Sequence, residues 1–495
     1  MGAGRMRRSF RQSMAWLHTW SGLVIGWLMY AVFVTGTASY YKAEISHWMR
    51  PEIRVQAPVD PGSAAELAIA AFRLHAPEAK QWFVRLPNAS DSTIGLQWRG
   101  KGGTRESLIL DSTTGIPVPV RETLGGEFLY RFHYELHMPP LWGRWIVGSA
   151  TTILIVALIS GVVTHRRILA DFFTFRPRKG GRRAWLDAHN VFGVLALPYH
   201  LVIAYSGLVL LSLTMMPWGV VAAYRGDVPR FAVDLGLTAM PARPATDRPA
   251  ELAPIAPMIA TARQRSSSKP EHLVIDKPRD ANATVTILME QPRGLAHRHP
   301  QIAFDGVSGA VLAESAHPQP AARTYFVLNG LHTADFAAPL LRSLYALCGF
   351  MGAAMIASGL ILWTNARAPS RDRGPSRTVQ IVRHLNIGVI VGLPFAIAAF
   401  FVANRLLPLD LADRATSEVR IFFGAWILLL LLSVVLQRGP AWRTAIYVTG
   451  LLYLMIPVVD FFAVSRTEHI IYGFGGPMAA IGLACFCVGY KVRRN

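Results

Sequence analysis

Cysteine is nearly absent from this chain. Its 495 residues include only Cys348, Cys485 and Cys487, all inside apolar runs. No disulfide framework is therefore expected in the polar segments. Cys485 and Cys487 are two residues apart, which does not put both thiols on one helix face, so packing is expected of them rather than metal binding. Charge is also scarce: 16% of residues are Asp, Glu, Lys or Arg, against 52% hydrophobic, and the mean hydropathy is +0.31. That balance excludes an ordinary soluble domain. Acidic residues are the rarer charge, 30 against 50 basic, giving a formal net charge of +20. The basic residues fall in short segments between apolar runs, so they orient a membrane protein and no nucleic-acid partner is expected. Motifs are missing too. There is no Walker loop, G-x-S-x-G, H-E-x-x-H or C-x-x-C, and no dinucleotide fingerprint after a strand; Gly473-Phe-Gly-Gly476 sits at the edge of an apolar run.

What the chain does contain is long apolar runs. A membrane span needs about 20 mostly apolar residues, and eight stretches qualify: 15–40, 142–165, 186–214, 339–363, 382–403, 420–437, 443–462 and 470–490. Basic clusters at Arg5–Arg11, Arg166–Arg183, Arg367–Arg383, Arg438–Arg443 and Lys491–Arg494 mark alternate span ends. The positive-inside rule makes all five cytoplasmic, with both termini, and leaves residues 41–140 and 215–338 as extracytoplasmic inserts. The first span is longer than the apolar core of a signal peptide and no clean A-x-A site follows it, so it is expected to remain as an anchor. The chain thus divides into 1–40 (N-terminus and span 1), insert 41–140, 141–214 (spans 2 and 3 around a basic loop), insert 215–338, span 339–365, basic loop 366–381, and a four-span block 382–495. The expected fold class is a polytopic α-helical membrane protein with a four-helix core and two extracytoplasmic α+β domains.

Each insert has the same grammar. A candidate helix (Ser63–Leu74; Ala253–Arg263) and alternating runs such as Gln81–Leu86 and Thr284–Met289 precede a D-x-x-x-G turn between strands. The turns are Asp111-Ser-Thr-Thr-Gly115 and Asp305-Gly-Val-Ser-Gly309; Asp can accept from turn amides and Gly can supply positive φ. An aromatic-Leu-His segment then leads into a span: Phe132-His-Tyr-Glu-Leu136-His137 and Phe326-Val-Leu-Asn-Gly-Leu331-His332. Those spans close on Ile159-Ser-Gly161 and Ala357-Ser-Gly359. A second recurrence, H-x-x-x-G, opens other spans at His18–Gly22, His189–Gly193 and His384–Gly388. A histidine one turn from a glycine sits where a neighbouring helix or a flat cofactor can approach the backbone closely.

Ionisable residues in spans are functional candidates by default. His189 and His200 share one span, 11 residues apart, roughly 16 Å along a helix and on nearly the same face. That spacing suits ligands for two stacked haems, each needing a neutral imidazole from each of two helices. His18 matches His189 in motif and depth. At a membrane edge either could equally be interfacial, and His200, deeper, has fewer bland explanations. His137 and His332 could cap helices or ligate; His384 repeats the motif on a span outside the core. His165 stands where Trp363 does in the repeat and is expected to be interfacial. His133 and the remaining histidines are expected to be solvated or structural.

Taken together, Trp16-Leu-His18-Thr-Trp-Ser-Gly22, the two D-x-x-x-G turns and the two Leu-His entries resemble the PepSY-associated transmembrane family of bacterial inner-membrane proteins, and within it ferric-siderophore reductases of the ferrioxamine type. The likeness covers residues 8–365. It implies PepSY domains on a haem-bearing core with two haems b, and electrons passed to a ferric siderophore in the periplasm. The implied ligands map to His18, His189, His200, His137 and His332, with His384 less directly. Pairing by depth joins His18 with His189, and His200 with His137 or His332. The electron donor would be a quinol or a cytoplasmic reductase. Two other classes remain open: a transporter for iron, copper or siderophore, since Pro198 and Pro394 interrupt spans, and a membrane-anchored PepSY sensor or inhibitor.

Overall fold

The computed structural model describes residues 9–53, 59–88, 91–100, 103–165, 181–367, 374–436, 439–463 and 471–492. Parts of the basic clusters, among them 5–8, 166–180 and 368–373, lie outside the described residues. The chain begins with α1 (Phe10–Ser39), α2 (Lys42–Trp48), α3 (Pro61–His75), β1 (Gln81–Arg85), β2 (Thr93–Arg99), β3 (Arg105–Asp111), α4 (Gly126–Glu135) and α5 (Pro140–Thr164). Next come α6 (Gly181–Leu195), α7 (Leu197–Leu210), α8 (Ser212–Met215), α9 (Trp218–Tyr224), α10 (Val228–Leu235) and α11 (Ile255–Arg265). Then follow β4 (Pro270–Asp276), β5 (Thr284–Met289), β6 (Gln301–Asp305), β7 (Val311–Glu314), α12 (Pro320–Thr333) and α13 (Pro339–Asn365). The chain closes with α14 (Arg377–Ile390), α15 (Gly392–Leu406), α16 (Arg414–Val435), α17 (Gly439–Ala463) and α18 (Ile471–Val492).

Among the described residues, seven stretches are long and apolar enough to cross a membrane: Phe10–Ser39, Pro140–Thr164, Pro339–Asn365, Arg377–Leu406, Arg414–Val435, Ala441–Ala463 and Gly473–Lys491. An eighth is formed if α6 and α7 are one span bent by 64°. The protein is a multi-pass membrane protein. The bend falls at Ala196, ahead of Pro198, which has no N–H to continue the helical ladder. His189 and His200 therefore do not share one straight helix, contrary to the expectation from spacing.

Two compact units emerge: residues 1–50, 121–215 and 337–495, and residues 51–120 with 216–336. In the second, the sequence predicts two small α+β domains, each with its own sheet. The structure corrects this. Both inserts contribute to a single seven-stranded sheet of order β3-β2-β1-β4-β5-β6-β7. The joining edge is antiparallel β1 against β4, with Phe83 opposite Val274. The three strands of the first insert and the four of the second share one apolar face. Trp82, Val84, Ile94, Leu96, Leu273, Ile275, Val285 and Ile287 alternate into one core with Phe72 of α3 and Ile259 of α11. Glu66 of α3 accepts from the amides of Ile255 and Ala256, capping α11 across the two inserts. The first insert is also shorter than predicted, because residues 121–140 belong to the membrane unit.

Both D-x-x-x-G turns form. Asp111 Oδ1 accepts from Thr113 and Thr114, Asp305 Oδ1 from Val307 and Ser308, and Gly115 and Gly309 take φ of +71° and +73°. Only the second closes a hairpin of two full strands, β6 with β7. After the first, Pro117 leaves a single bridge to Leu110, since Ile116-Pro-Val-Pro119 supplies too few N–H groups for a ladder.

In the membrane unit α1 packs along α5 and α13, α6 along α13, and α5 along α7. Close approach is set by small residues: a Cβ at Gly26 would stand 2.7 Å from Leu360, and one at Gly143 2.0 Å from the Glu135 carbonyl. The C-terminal helices share the same apolar core, where Phe128 meets Phe400 and Phe422 at 5.0 and 4.9 Å between centroids. They also hold a buried ionic network. Arg405 pairs with Asp460 at 2.6 Å and Arg414 with Glu418 at 2.5 Å, all four fully buried or nearly so. This network grips chain that precedes it by hundreds of residues. Arg405 donates to the Trp48 carbonyl and stacks on its ring, Arg121 donates to the Asn404 carbonyl, Arg414 to that of Glu122, and Thr123 to Glu418.

Candidate functional site

Four histidines of the membrane unit rest against helix backbone. His18 lies on α1, and its Nδ1 is 2.8 Å from the Ala157 carbonyl of α5. A carbonyl only accepts, so Nδ1 carries the proton and Nε2 keeps its lone pair. Three residues beyond Ala157, Ser160 donates to the same carbonyl at 3.0 Å. Four residues beyond, Gly161 makes the room: a Cβ there would stand 3.0 Å from His18 Cε1. His189 on α6 repeats this arrangement on α13. Its Nδ1 is 2.8 Å from the Met355 carbonyl, Ser358 donates to that carbonyl at 2.9 Å, and a Cβ on Gly359 would stand 3.1 Å from His189 Cε1. The two small-residue patterns read from the sequence are thus the seats on which the two histidines rest.

His18 and His189 face each other, their ring centroids 6.1 Å apart. Both line a cavity of about 400 Å³. Its wall is largely apolar, with Met29, Leu154, Leu158 and Ile356 at its inner part, and His165, Arg182 and Arg367 among its polar residues. Gly22 and Gly193, the glycines of the two H-x-x-x-G motifs, also line it. Nothing stands within 4 Å of a Cβ at Gly22. His165 reaches the cavity and bonds Asn190 at 2.8 Å.

A third seat escaped the sequence reading. His133 of α4, expected to be solvated or structural, puts its Nδ1 2.8 Å from the Val32 carbonyl of α1. Thr35 and Gly36 follow Val32 at the same offsets of three and four, and a Cβ on Gly36 would stand 2.6 Å from the ring. Burial pulls the imidazole pKa below its ordinary value, and the Val32 carbonyl opposes that pull. The signal was present in the sequence: Thr35-Gly36 repeats Ser160-Gly161 and Ser358-Gly359. His200 of α7 takes a fourth position. It is fully buried, a Cβ on Gly352 of α13 would stand 3.1 Å from its Nε2, and its ring meets Phe33 of α1 at 5.8 Å. Met351 replaces the hydroxyl here, and neither ring nitrogen makes a well-formed hydrogen bond, although the Cys348 carbonyl four residues before Gly352 lies within electrostatic reach. His133 and His200 thus border adjacent residues of α1, Val32 and Phe33.

Of the other predicted residues, His137 and His384 are not among the described residues that line the cavity, and His332 belongs to the other unit. His137 is exposed past the end of α4 at φ +54°, its ring against Phe128 and Phe423. Its distance from the cavity follows from the left-handed turn at Leu136 and His137, which ends α4 and carries the side chain away. His332 is half-buried in the last turn of α12, in the sheet-bearing unit. His384 is half-buried on α14, and its motif glycine, Gly388, packs on Leu430, 2.4 Å from a would-be Cβ, rather than beside an imidazole or the cavity.

An uncharacterized protein of Pseudomonas aeruginosa is similar to this chain, 26% identical over 342 residues, 64% of this chain and 82% of the relative. The model of the PepSY-associated TM region matches residues 15–366, which takes in all four seats and stops short of the C-terminal helices. The chain belongs to the family of proteins with a PepSY-associated TM region.

Proposed function

We propose that the membrane unit binds haem b and that the protein is an inner-membrane oxidoreductase delivering electrons to a ferric siderophore in the periplasm, with a quinol or a cytoplasmic reductase as donor. The observation that carries this reading is the facing pair His18 and His189 on matched seats around one cavity. His18 and His189 would hold the metal of such a group through one nitrogen each; at about 2.0 Å per bond and about 1 Å from ring nitrogen to ring centre, this would need the two rings about 6 Å apart. The observed 6.1 Å fits that separation. Each Nδ1 proton is committed to a carbonyl, as ligating histidines generally have it, leaving Nε2 for the metal. Glycines at 22 and 193 open the wall for a flat ring. His133 and His200 are the corresponding pair for a second haem, and the buried, unpaired nitrogens of His200 fit that role. Bound haem supplies one-electron transfer through its ferric and ferrous states. The chain's own residues hold imidazoles neutral and oriented, and exclude water with an apolar wall. Reduction is useful at the acceptor because hydroxamate or catecholate oxygens hold ferrous iron far less tightly than ferric iron.

A reduced-minus-oxidised spectrum with pyridine haemochrome quantification tests this directly. A Soret band reduced to about half by His189→Ala supports it; no Soret band, or one indifferent to His189→Ala and His200→Ala, overturns it. A transporter is the second reading, favoured by the 64° break between α6 and α7. Uptake of iron or siderophore into sealed vesicles by protein free of haem would establish that alternative.

A further inference from the structure

The cavity between His18 and His189 has a charge pattern that the ligand pair leaves unexplained. Among the described residues that line it are two guanidinium groups, Arg182 and Arg367, and no Asp or Glu. Their neighbours are spoken for. Arg183 pairs with Asp187 at 3.3 Å, and Arg11 donates to the Thr164 carbonyl at the end of α5. Arg367 is pinned in place, its guanidinium stacked 4.1 Å from the Trp363 ring and bonded to the Trp363 carbonyl at 3.3 Å. Arg182 forms no ion pair among the described residues. Positive-inside orientation accounts for basic residues on loops, but not for two of them among the described residues of one largely apolar wall. Thr164, His165 and Ala366 line the same end as Arg182 and Arg367, at the close of α5 and α13, while Met29 and Leu154 line the apolar part. A cavity apolar along its length and doubly cationic at one end suits an occupant that is flat and apolar with two anionic groups on one edge.

We propose that Arg182 and Arg367 are the anion-binding end of this cavity and pair with the two carboxylates of its occupant, fixing which edge faces the end of α5. Arg suits the task because its planar fork meets carboxylate with two parallel bonds. The inference rests on the haem reading above but does not share its test. Full-length protein in detergent, stripped of pigment, is titrated with ferric haem b and with its dimethyl ester, in which both carboxylates are blocked. The wild type is expected to bind the free acid at least about tenfold more tightly than the ester, in line with two charge-assisted pairs. The Arg182→Gln/Arg367→Gln protein is expected to bind the two alike, with affinity for the ester unchanged, and Arg182→Lys/Arg367→Lys to recover part of the preference. A double-Gln protein that keeps the full preference, or a wild type that shows none while His189→Ala still removes about half of the bound pigment, overturns the clamp and leaves the haem reading standing. Failure of both pigments to bind overturns the clamp and the haem reading together. Repeating the titration with phosphatidylglycerol added separates a lipid phosphate as the anion: competition by that lipid for the free acid alone, lost in the double-Gln protein, would assign the arginines to the lipid and also overturn the clamp.

Discussion

The inner pair of histidine seats and the outer pair are built to one pattern but finished differently. At His18 and His189 the carbonyl, hydroxyl and glycine stand at the same offsets, the rings face each other, and a cavity lies beside them. At His133 the hydroxyl of Thr35 turns chiefly to Ala31, and only weakly, at 3.4 Å, to Val32. At His200 the hydroxyl is missing and both nitrogens lack a good partner. The inner site is therefore preorganised by a hydrogen bond to each ring, whereas in the outer one only His133 is so held and His200 is placed by burial. A ring held by a fixed acceptor keeps its tautomer without help. A ring held by packing waits for a ligand to fix it.

The comparison can be broken most severely at the inner rings. His18→Ala or His189→Ala is expected to abolish pigment at the inner site and leave the outer complement, so haemochrome content per chain should fall by half rather than to zero. Substituting the seat itself comes next. Gly359→Val places methyl groups against His189, and overpacking of about 1–3 kcal/mol should lower pigment affinity by roughly tenfold or more, measured by competition with an apo-globin. Removing the shared hydroxyl is milder: Ser358→Ala should weaken the inner site by about 1 kcal/mol, whereas Thr35→Ala should do less because its bond to Val32 is long. The smallest effect concerns pH at the outer pair. His133 lies outside the spans and its pKa is lowered from 6.5 by burial. A histidine whose folded pKa is depressed stabilises fully above its unfolded value and loses that contribution as pH falls through the folded one. Melting temperature should therefore decline below about pH 6.5 in the wild type, and His133→Gln should flatten that limb.

Much of this was legible in the chain. Hydropathy placed the spans because a bilayer demands length and apolarity whatever the neighbours. The repeats placed His18 and His189, since H-x-x-x-G and S-G each recur at matching positions. The single sheet was not legible, because pairing β1 with β4 joins residues such as Gln81 and Asp276 that are 195 apart, and no local pattern records the partner. His133 was missed for a related reason. Next to Tyr134 and Glu135 it looks like a surface residue, and only the glycine on α1, about a hundred residues earlier, makes its burial possible. His137 drew attention through the Leu-His repeat, yet the left-handed end of α4 exposes it.

The buried arginines of the C-terminal helices set an order of events during synthesis. Asn404 follows Arg121 by 283 residues, and Asp460 follows Trp48 by 412. At about 5–20 residues per second, Arg121 leaves the ribosome roughly 15–60 s before its acceptor exists. Until then the residues around 48 and 121 are held only by bonds within the first part of the chain, such as Arg50 to the Thr123 carbonyl and Gly126 to Ser46. The last helices, which lie beyond the match to the PepSY-associated region, act as a late bolt: they close only after both inserts have been made and can be joined in one sheet.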